Sequence, residues 1–379
     1  SILSLYLSAF HFFVVTLRMK ITKHITHIGN AQKMSLVEDN SIDLIVTSPP
    51  YPMIEMWDKV MAKQNPKIKS ALEDNNGDLA FELMHQELDK VWEECFRVLK
   101  DGGIACINIG DATRTISNIF CLYSNHARVI NHCLQIGFVN LPNIIWRKQT
   151  NAPNKFMGSG MLPAGAYVTL EHEWILVFRK GGKRSFKTER EKDARRSSSF
   201  FWEERNTWFS DVWELKGIKQ NLTNNTSRER SAAFPFLLPY RLINMYSLKG
   251  DTILDPFMGT GTTTIAAIVA ARNSIGYEID SIFQEIINKN IDNLNIDILN
   301  KIIKDRIDSH KVFINERNND KTKHYNEILA LPVITSQETK IEFSFIDKIT
   351  KKSSLFEVAY SAPINGDTEL PFKTKNTLF

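Results

Sequence analysis

The chain has 379 residues, of which 43% are hydrophobic and 24% are charged. This composition excludes a disordered chain and is typical of a globular protein with one large or two modest domains. The net charge of +4 permits a polyanionic partner without requiring one. The four cysteines lack the paired spacing of a metal site, so we expect free thiols and a cytoplasmic location.

Residues 1–18 form an apolar N-terminal extension. It lacks the basic segment that opens a secretory signal peptide, and its length is marginal for a membrane helix. An ordinary sequence begins at Met19. We therefore expect read-through from upstream of the native start and no membrane partner; a membrane anchor is the alternative.

The first motif follows an apolar run. Residues 42–46 predict a buried β-strand, and Ser48-Pro49-Pro50-Tyr51 begins two residues further on. The two prolines prevent the strand from continuing. They therefore hold a serine hydroxyl, two backbone carbonyls and an aromatic ring at the carboxyl end of a strand. Open α/β sheets bind ligands at that end of their strands.

The next part of the chain predicts a loop, two helices and a hairpin. Residues 63–78 are polar, and we expect a mobile loop that is either plain surface or a flap over the ligand site. Apolar spacing predicts helices over 81–99 and 118–137. Residues 141–146 and 173–178 are expected to pair as the two strands of a hairpin.

Residues 179–233 differ in composition, because basic side chains come first and aromatic side chains follow. Basic residues can contact phosphates, and aromatic residues can pack in a core or stack on bases. The alternative interpretation is a solvated charged segment before a small apolar cluster. The residues concerned are Arg179, Lys180, Lys183, Arg184, Lys187, Arg190, Lys192, Arg195, Arg196, Phe200, Phe201, Trp202, Trp208, Phe209 and Trp213.

A second motif lies in the last third of the chain. Residues 252–254 predict a short strand that leads into an acidic residue and a Gly-x-Gly turn. Glycines allow positive φ and let the backbone approach a ligand closely. The next predicted strand ends at an acid about 20 residues past the glycines, the separation expected of a carboxylate that holds ribose hydroxyls. The candidate binding residues are Asp255, Phe257, Gly259, Gly261, Thr262 and Glu278.

Two further helices are predicted, over 240–248 and 283–299. Beyond residue 300 the charge density rises. We expect an additional helix there, followed by a loosely held tail.

The two motifs together resemble the amino-methyltransferases of DNA that use S-adenosylmethionine. The stretch from Asp255 to Gly261 is similar to their cofactor loop, and residues 47–51 are similar to their catalytic loop. Because the catalytic loop comes first, the chain resembles the circularly permuted beta group, whose target-recognition segment lies between the loops. The resemblance implies an α/β, Rossmann-like methyltransferase fold with an inserted target-recognition region.

This resemblance divides the chain into five segments. They are the extension 1–18, the catalytic half 19–178, the target-recognition region 179–233, the cofactor-binding half 234–300 and the C-terminal extension 301–379.

The form of the first motif implies the substrate. Ser-Pro-Pro-Tyr is usual in cytosine-N4 enzymes, whereas adenine-N6 enzymes more often carry Asp-Pro-Pro-Tyr. The resemblance therefore implies a site-specific cytosine-N4 methyltransferase of a type II restriction-modification system. Adenine-N6 transfer to DNA is the alternative, and a non-catalytic nucleic-acid-binding protein is a hypothesis of a different class.

The resemblance also implies the cofactor, partners and site residues. The cofactor is S-adenosyl-L-methionine, and no metal is expected. The physical partner is duplex DNA with a flipped-out target base, and a cognate restriction endonuclease is the functional partner. The catalytic residues are Ser48, Pro49, Pro50 and Tyr51, and the cofactor-binding residues are Asp255, Phe257, Gly259, Gly261, Thr262 and Glu278.

Overall fold

The computed structural model describes residues 20–148, 157–215, 234–317, 322–352 and 354–371. The predicted extension 1–18 lies outside these ranges. Within them, no helix has both the length and the hydropathy that crossing a bilayer requires.

Strands and helices alternate through most of the described chain. The strands are β1 (Ile21–Ile28), β2 (Ile42–Thr47), β3 (Leu99–Ile109), β4 (Ala112–Ile116), β5 (Ile119–Tyr123), β6 (Phe138–Asn140), β7 (Ile144–Lys148), β8 (Met157–Gly158), β9 (Ala166–Tyr167), β10 (His172–Lys180), β11 (Val212–Leu215), β12 (Thr252–Asp255), β13 (Asn273–Glu278), β14 (His324–Asn326), β15 (Leu331–Val333), β16 (Ile346–Lys352) and β17 (Leu355–Tyr360). The α-helices are α1 (Asp58–Gln64), α2 (Pro66–Glu73), α3 (Gly77–Val98), α4 (Asn125–Gln135), α5 (Glu189–Ser197), α6 (Trp202–Trp208), α7 (Leu237–Tyr246), α8 (Thr262–Val269), α9 (Phe283–Asp292) and α10 (Ile296–Glu316).

One large sheet organises the molecule. Its order is β11-β7-β10-β3-β2-β12-β13-β1-β17-β16, with β6 paired to β10. The five central strands, β3, β2, β12, β13 and β1, are all parallel. Since β2 and β12 lie side by side and their crossovers run to opposite sides, ligands are expected at the carboxyl ends of these two strands. This is a Rossmann-like α/β fold, as the sequence predicted.

Both faces of the sheet are covered. Strand β2 is buried along its whole length, as its apolar sequence predicted. Leu44 and Val46 pack into the cluster that includes α7, α8 and α10, whereas Ile42 and Ile45 pack into the cluster that includes α3 and α4. The central strands therefore lie between two helical layers, which leaves the strand ends as the places where a ligand can enter.

The predicted loop at 63–78 is helical, which corrects that prediction. Half of it, residues 66–73, is α2, and its first two and last two residues belong to α1 and α3. The side chain of Asn65 accepts a hydrogen bond from the amide of Lys67, and Pro66 occupies the first helical turn. Ile68 and Ala71 bury one side of this polar helix. A cap, a proline and two apolar residues three positions apart outweigh the polar composition.

The helix predicted over 118–137 begins later than expected. Ser117 and Asn118 both have positive φ, and they form the turn of the hairpin β4-β5. The helix α4 starts at Asn125. Two consecutive positive φ values are typical of a hairpin turn that matches the twist of its strands, and this turn overrides the helical spacing.

The predicted pairing of 141–146 with 173–178 is confirmed as the antiparallel pair β7-β10. The predicted helix over 283–299 is instead two helices. They are separated at Asn295, whose side chain accepts hydrogen bonds from the amides of Asp297 and Ile298 and so caps α10.

The C-terminal extension is part of the domain, which corrects the predicted loose tail for its described residues. Strand β17 pairs antiparallel with β1, and β16 pairs with β17. Phe356, Val358 and Tyr360 of β17 are buried in the main core. The Tyr360 hydroxyl donates to the carbonyl of Ile268 in α8, at 2.7 Å. The extension therefore adds two strands to the sheet beyond β1.

Candidate active site

The two predicted motifs meet at one cavity. Because the five central strands are parallel, their carboxyl ends lie at the same edge of the sheet, here called the carboxyl edge. A cavity of about 510 Å³ opens there. Its lining includes nine of the ten predicted site residues, namely Ser48, Pro49, Pro50, Tyr51, Asp255, Phe257, Gly259, Thr262 and Glu278.

The catalytic loop is fixed by hydrogen bonds at its tyrosine. The Tyr51 hydroxyl donates to Glu173 Oε2 at 2.9 Å and lies 3.1 Å from Ser48 Oγ. Asn108 Nδ2 donates to the same Tyr51 oxygen at 2.8 Å and to Glu173 Oε2 at 2.7 Å. Burial and the charge of Glu173 raise the pKa of Tyr51 well above its usual value, so the phenol stays protonated.

Glu173 and its neighbours hold this network in place. The Lys148 ammonium forms an ion pair with Glu173 Oε1. A methyl group at Gly110 would lie 2.9 Å from the ring of Tyr51 and 3.3 Å from Glu173 Cγ. The absence of a side chain at this position therefore lets the tyrosine ring and the carboxylate pack against the end of β3.

A buried contact joins the catalytic strand to the cofactor strand. The Thr47 hydroxyl donates to Asp255 Oδ1 at 2.6 Å, and the amide of Phe257 donates to the same oxygen at 3.1 Å. Both Thr47 and Asp255 are buried. Burial raises the pKa of Asp255 from 3.8 to about 6.

The glycine loop is fastened to the acid of the next strand. Gly259 donates its amide proton to Glu278 Oε2 at 2.9 Å, and the amide of Asp280 donates to Glu278 Oε1 at 2.9 Å. Burial raises the pKa of Glu278. A side chain built at Gly259 would meet nothing within 4 Å, so the backbone there faces open space in the cavity.

Gly261 is the remaining predicted site residue. It does not line the cavity, and a methyl group there would lie 3.4 Å from Met258 Cε and 4.0 Å from Ile287. Its φ of 90° places it in the left-handed region, where it forms the N-cap of α8. Gly261 therefore shapes the loop through its backbone conformation, and its predicted approach to the ligand stays a prediction.

Sequence reasoning missed several residues of the cavity. Asn108 and Glu173 are polar residues that interrupt otherwise apolar buried strands, and this pattern is the signal that could have identified them. Trp57, Val60 and Met61 line the cavity from α1 and the turn before it. Residues 52–58, just before and at the start of α1, have no strand or helix period in the sequence.

Other chemistries find no support among the described residues. No group of three metal-binding side chains lies close enough to hold an ion. Cys95, Cys106 and Cys133 are buried, and burial raises the pKa of each thiol. Because thiolates are the reactive form, these three cysteines are inert core residues.

The basic part of the predicted target-recognition region lies away from the cavity. Arg184 pairs with Asp251 at 2.6 Å and is 3.7 Å from Asp43. Both acids precede or begin strands whose opposite ends carry the site motifs, so this surface is the amino edge of the sheet. Lys192 and Arg196 pair with Glu189 within α5. The predicted phosphate contacts of this basic run stay a prediction.

The aromatic part of the same region belongs to the core. Phe201, Trp208 and Trp213 are all buried. The chain then returns to the carboxyl edge, where Leu215 pairs with Lys148 and Phe234 lines the cavity. The rest of the predicted region, 216–233, lies outside the described residues.

A Rossmann-like sheet with both loops at one cavity is what the sequence resemblance implied for a DNA methyltransferase. Residues 42–289 match the DNA methylase family N6_N4_Mtase, and the chain belongs to that family.

Individual relatives agree with this class. The chain is 52% identical over 342 residues to the type II methyltransferase M.MthZI of Methanothermobacter thermautotrophicus, with 89% of this chain and 95% of the relative covered. It is 51% identical over 282 residues to the type II methyltransferase M.MjaI of Methanocaldococcus jannaschii, with 71% and 91% covered. The structure of a putative DNA modification methylase from Thermus thermophilus, in complex with S-adenosyl-L-methionine, is 30% identical with a TM-score of 0.54; the match covers 70% of this chain and 92% of that one.

Proposed function

We propose that this DNA methyltransferase is site-specific and transfers a methyl group from S-adenosyl-L-methionine to the exocyclic N4 of cytosine in duplex DNA. The observation that carries the choice of cytosine is the neutral hydroxyl of Ser48 at the first position of the Ser-Pro-Pro-Tyr motif. The adenine-N6 enzymes that the loop resembles more often have a carboxylate there.

The cavity fits the proposed cofactor. The Glu278 carboxylate stands at its wall, where it can accept hydrogen bonds from ribose hydroxyls. The backbone at Gly259 faces open space, which leaves room for the amino-acid part of the cofactor. Phe257 and Ile279 add apolar surface for a purine ring. Bound there, the cofactor would supply an electrophilic methyl group on a sulfonium.

The catalytic loop is suited to an amino acceptor. An exocyclic amino nitrogen is a poor nucleophile because its lone pair is delocalised into the ring. Ser48 Oγ and the Pro49 carbonyl can accept hydrogen bonds from the amino hydrogens and so draw the nitrogen toward a tetrahedral form. The Tyr51 ring at the cavity wall supplies a surface for the base. This mechanism needs orientation and electrostatics but no covalent adduct.

The target base must leave the duplex to reach this loop, as enzymes that act on bases generally require. The proposed physical partner is therefore duplex DNA approaching the carboxyl edge with one base flipped out. The proposed role in the cell is protection of host DNA from a cognate restriction endonuclease. The type II methyltransferases among the relatives support this role.

The test is the chemical identity of the product. DNA from a bacterial strain without methyltransferases is incubated with the protein and labelled cofactor, digested and analysed by mass spectrometry. We expect N4-methylcytosine. Ser48→Ala should retain cofactor binding by calorimetry and lose roughly tenfold to a thousandfold in rate, the usual effect of losing one such electrostatic contact.

The other outcomes separate the alternatives. N6-methyladenine would change the substrate and keep the mechanism, whereas 5-methylcytosine would contradict both. DNA binding without any methyl transfer would identify a non-catalytic nucleic-acid-binding protein.

A further inference from the structure

Glu173 is the meeting point of three donors at the catalytic loop. Tyr51 and Asn108 donate to Oε2, at 2.9 Å and 2.7 Å, and Lys148 pairs with Oε1. The glutamate is 8% exposed, so its carboxylate is held in one orientation by neighbours rather than by water. Burying a carboxylate is costly unless hydrogen bonds and a positive charge replace its lost hydration. These three partners supply that replacement.

The hydrogen-bond directions along this network follow from its chemistry. Tyr51 has one hydroxyl proton, and a carboxylate oxygen can only accept it. The nitrogen of Asn108 must face Glu173, because its oxygen there would repel the carboxylate. Tyr51 Oη therefore has no proton left for Ser48, so Ser48 Oγ donates to Tyr51 across 3.1 Å. Asn108 Nδ2 also donates to Ser48 Oγ across a longer 3.4 Å, which leaves one lone pair of Ser48 for the cavity side.

We propose that Ser48, Tyr51 and Glu173 form a proton relay that removes the proton released from the amino nitrogen during methyl transfer. This inference rests on the proposed function, in that the acceptor is an exocyclic amino group. Ser48 is the residue that touches the substrate. Tyr51 conducts the proton, and Glu173 receives it and orients the other two.

The step balances as follows. The amino nitrogen uses its lone pair to form the bond to the methyl carbon, and the electron pair of the broken carbon–sulfur bond stays on sulfur. The nitrogen then carries a positive charge and one proton too many. That proton passes to Ser48 Oγ while the serine proton passes to Tyr51 Oη and the tyrosine proton passes to Glu173. The products are a neutral methylamino group and a neutral glutamic acid.

The surroundings favour transfer in this direction. Glu173 is among the carboxylates that line the cavity, and it attracts the positive charge that methyl transfer leaves on the base. Lys148 is 43% exposed and touches the other oxygen of Glu173, so the received proton has a route to water beside it. The raised pKa of Tyr51 keeps the phenol protonated between turnovers, as a conductor requires.

The test compares three variants with the wild type. Glu173→Gln removes the proton acceptor, and Tyr51→Phe breaks the relay while leaving the ring and the carboxylate. Glu171→Gln is the matched control, since Glu171 is two residues away, 42% exposed and paired with Arg147. The rate of label transfer from tritiated S-adenosylmethionine to unmethylated genomic DNA is measured in a single turnover over a range of pH. Cofactor affinity is measured by calorimetry.

We expect Glu173→Gln and Tyr51→Phe each to lose about a hundredfold or more in rate, the usual size of a proton-transfer effect. Cofactor affinity should stay within about twofold, and the control should resemble the wild type. The deficit of Glu173→Gln should narrow as pH rises, because hydroxide can then take the proton. The double variant should be no slower than the slower single variant, since both changes break one chain.

A Glu173→Gln rate within threefold of the wild type would overturn the relay. A rate deficit of Glu173→Gln that is the same at every pH would also overturn the relay. Losses in rate that multiply in the double variant would overturn it too, because both results indicate separate structural roles. If Glu173→Gln does not fold, the pH dependence of Tyr51→Phe decides in the same way. Product analysis of the wild type keeps the two proposals apart: N6-methyladenine would overturn the cytosine assignment and leave the relay untouched.

Discussion

At the scale of single residues, the site depends on acids that have different environments. Asp255 is buried between Thr47 and the glycine loop, and it also lines the cavity. Glu278 accepts two backbone amide protons at the cavity wall. Burial raises the pKa of both. The Thr47–Asp255 contact joins β2 to β12, and the roles of Asp255 and Glu278 in cofactor binding stay predictions.

Replacing Asp255 by asparagine should change how stability depends on pH. Folding raises the pKa of Asp255 from 3.8 to about 6, so the native state binds the proton more tightly than the unfolded chain. The carboxyl group therefore stabilises the fold most below pH 4, and this contribution is lost as pH rises to about 6. The wild type should lose up to about 3 kcal/mol relative to Asp255→Asn over this range.

Urea denaturation of both proteins at several pH values between 4 and 7 provides the measurement. Buried His24, whose pKa is lowered to about 3, titrates in both proteins, so its effect cancels in the difference. A difference in unfolding free energy that does not vary with pH would show that Asp255 has an ordinary pKa.

At the scale of elements, the sequence predicted those elements that have a strong local pattern. The sequence predicted the apolar strand β2, the glycine loop before α8 and the pair β7-β10, because each has a strong local signal. The loop predicted at 63–78 failed because Asn65 and Pro66 begin a helix in polar sequence. The C-terminal strands could not be foreseen, because β17 pairs with β1 more than 300 residues away and no local pattern encodes such a partner.

The same distinction applies to the site. Both motifs were visible because glycines and prolines have few alternative roles at strand ends. Glu173 and Asn108 became site residues only through the antiparallel pairing of β10 with β3, which sets them beside Tyr51. Residues that come together only through tertiary contacts cannot be identified from their spacing in the sequence.

One buried arginine joins three elements of the C-terminal half. Arg306 of α10 makes two hydrogen bonds to Glu204 of α6, at 2.6 Å and 2.8 Å, and contacts Tyr240 and Asn244 of α7. The side chains of Arg306 and Glu204 are each 11% exposed. The pair therefore ties the inserted region to the C-terminal extension.

Arg306→Ala should lower the free energy of unfolding by about 3–5 kcal/mol, because it leaves the Glu204 charge buried without its partner. The double variant Arg306→Met with Glu204→Leu should recover much of that loss. Lys301→Ala removes an exposed pair with Asp305 on the same helix and should cost less than about 1 kcal/mol. Chemical denaturation of the three proteins tests this ranking, and equal losses for Arg306→Ala and Lys301→Ala would contradict it.

At the scale of the whole molecule, the two edges of the sheet have different roles. The carboxyl edge carries the cavity and the Ser-Pro-Pro-Tyr motif, so the proposed function brings DNA to that side. The basic run that the sequence assigned to phosphate contacts begins at the amino edge, where Arg184 pairs with Asp251. The separation is about 13 Å along β2 alone, from Asp43 to Thr47. Within this run, Arg184 ties the segment before α5 to the sheet through Asp251, whereas Lys192 and Arg196 pair with Glu189 inside α5.

This assignment of edges makes a prediction about salt dependence. Lys183, Lys187 and Arg190 are exposed members of the basic run, and their joint replacement by glutamine removes three positive charges without touching the cavity. If all three contacted phosphates, the slope of log affinity against log salt would fall by roughly three units, about 0.9 for each contact. Because they lie near the amino edge, we expect the slope to change by less than about one unit. Fluorescence anisotropy with a labelled duplex over a salt series measures this slope, and the methylated sequence in treated genomic DNA should also stay the same. A slope that falls by three units, or a change in the methylated sequence, would contradict this expectation. Either result would show that the basic run contacts DNA and that the DNA lies across the amino edge.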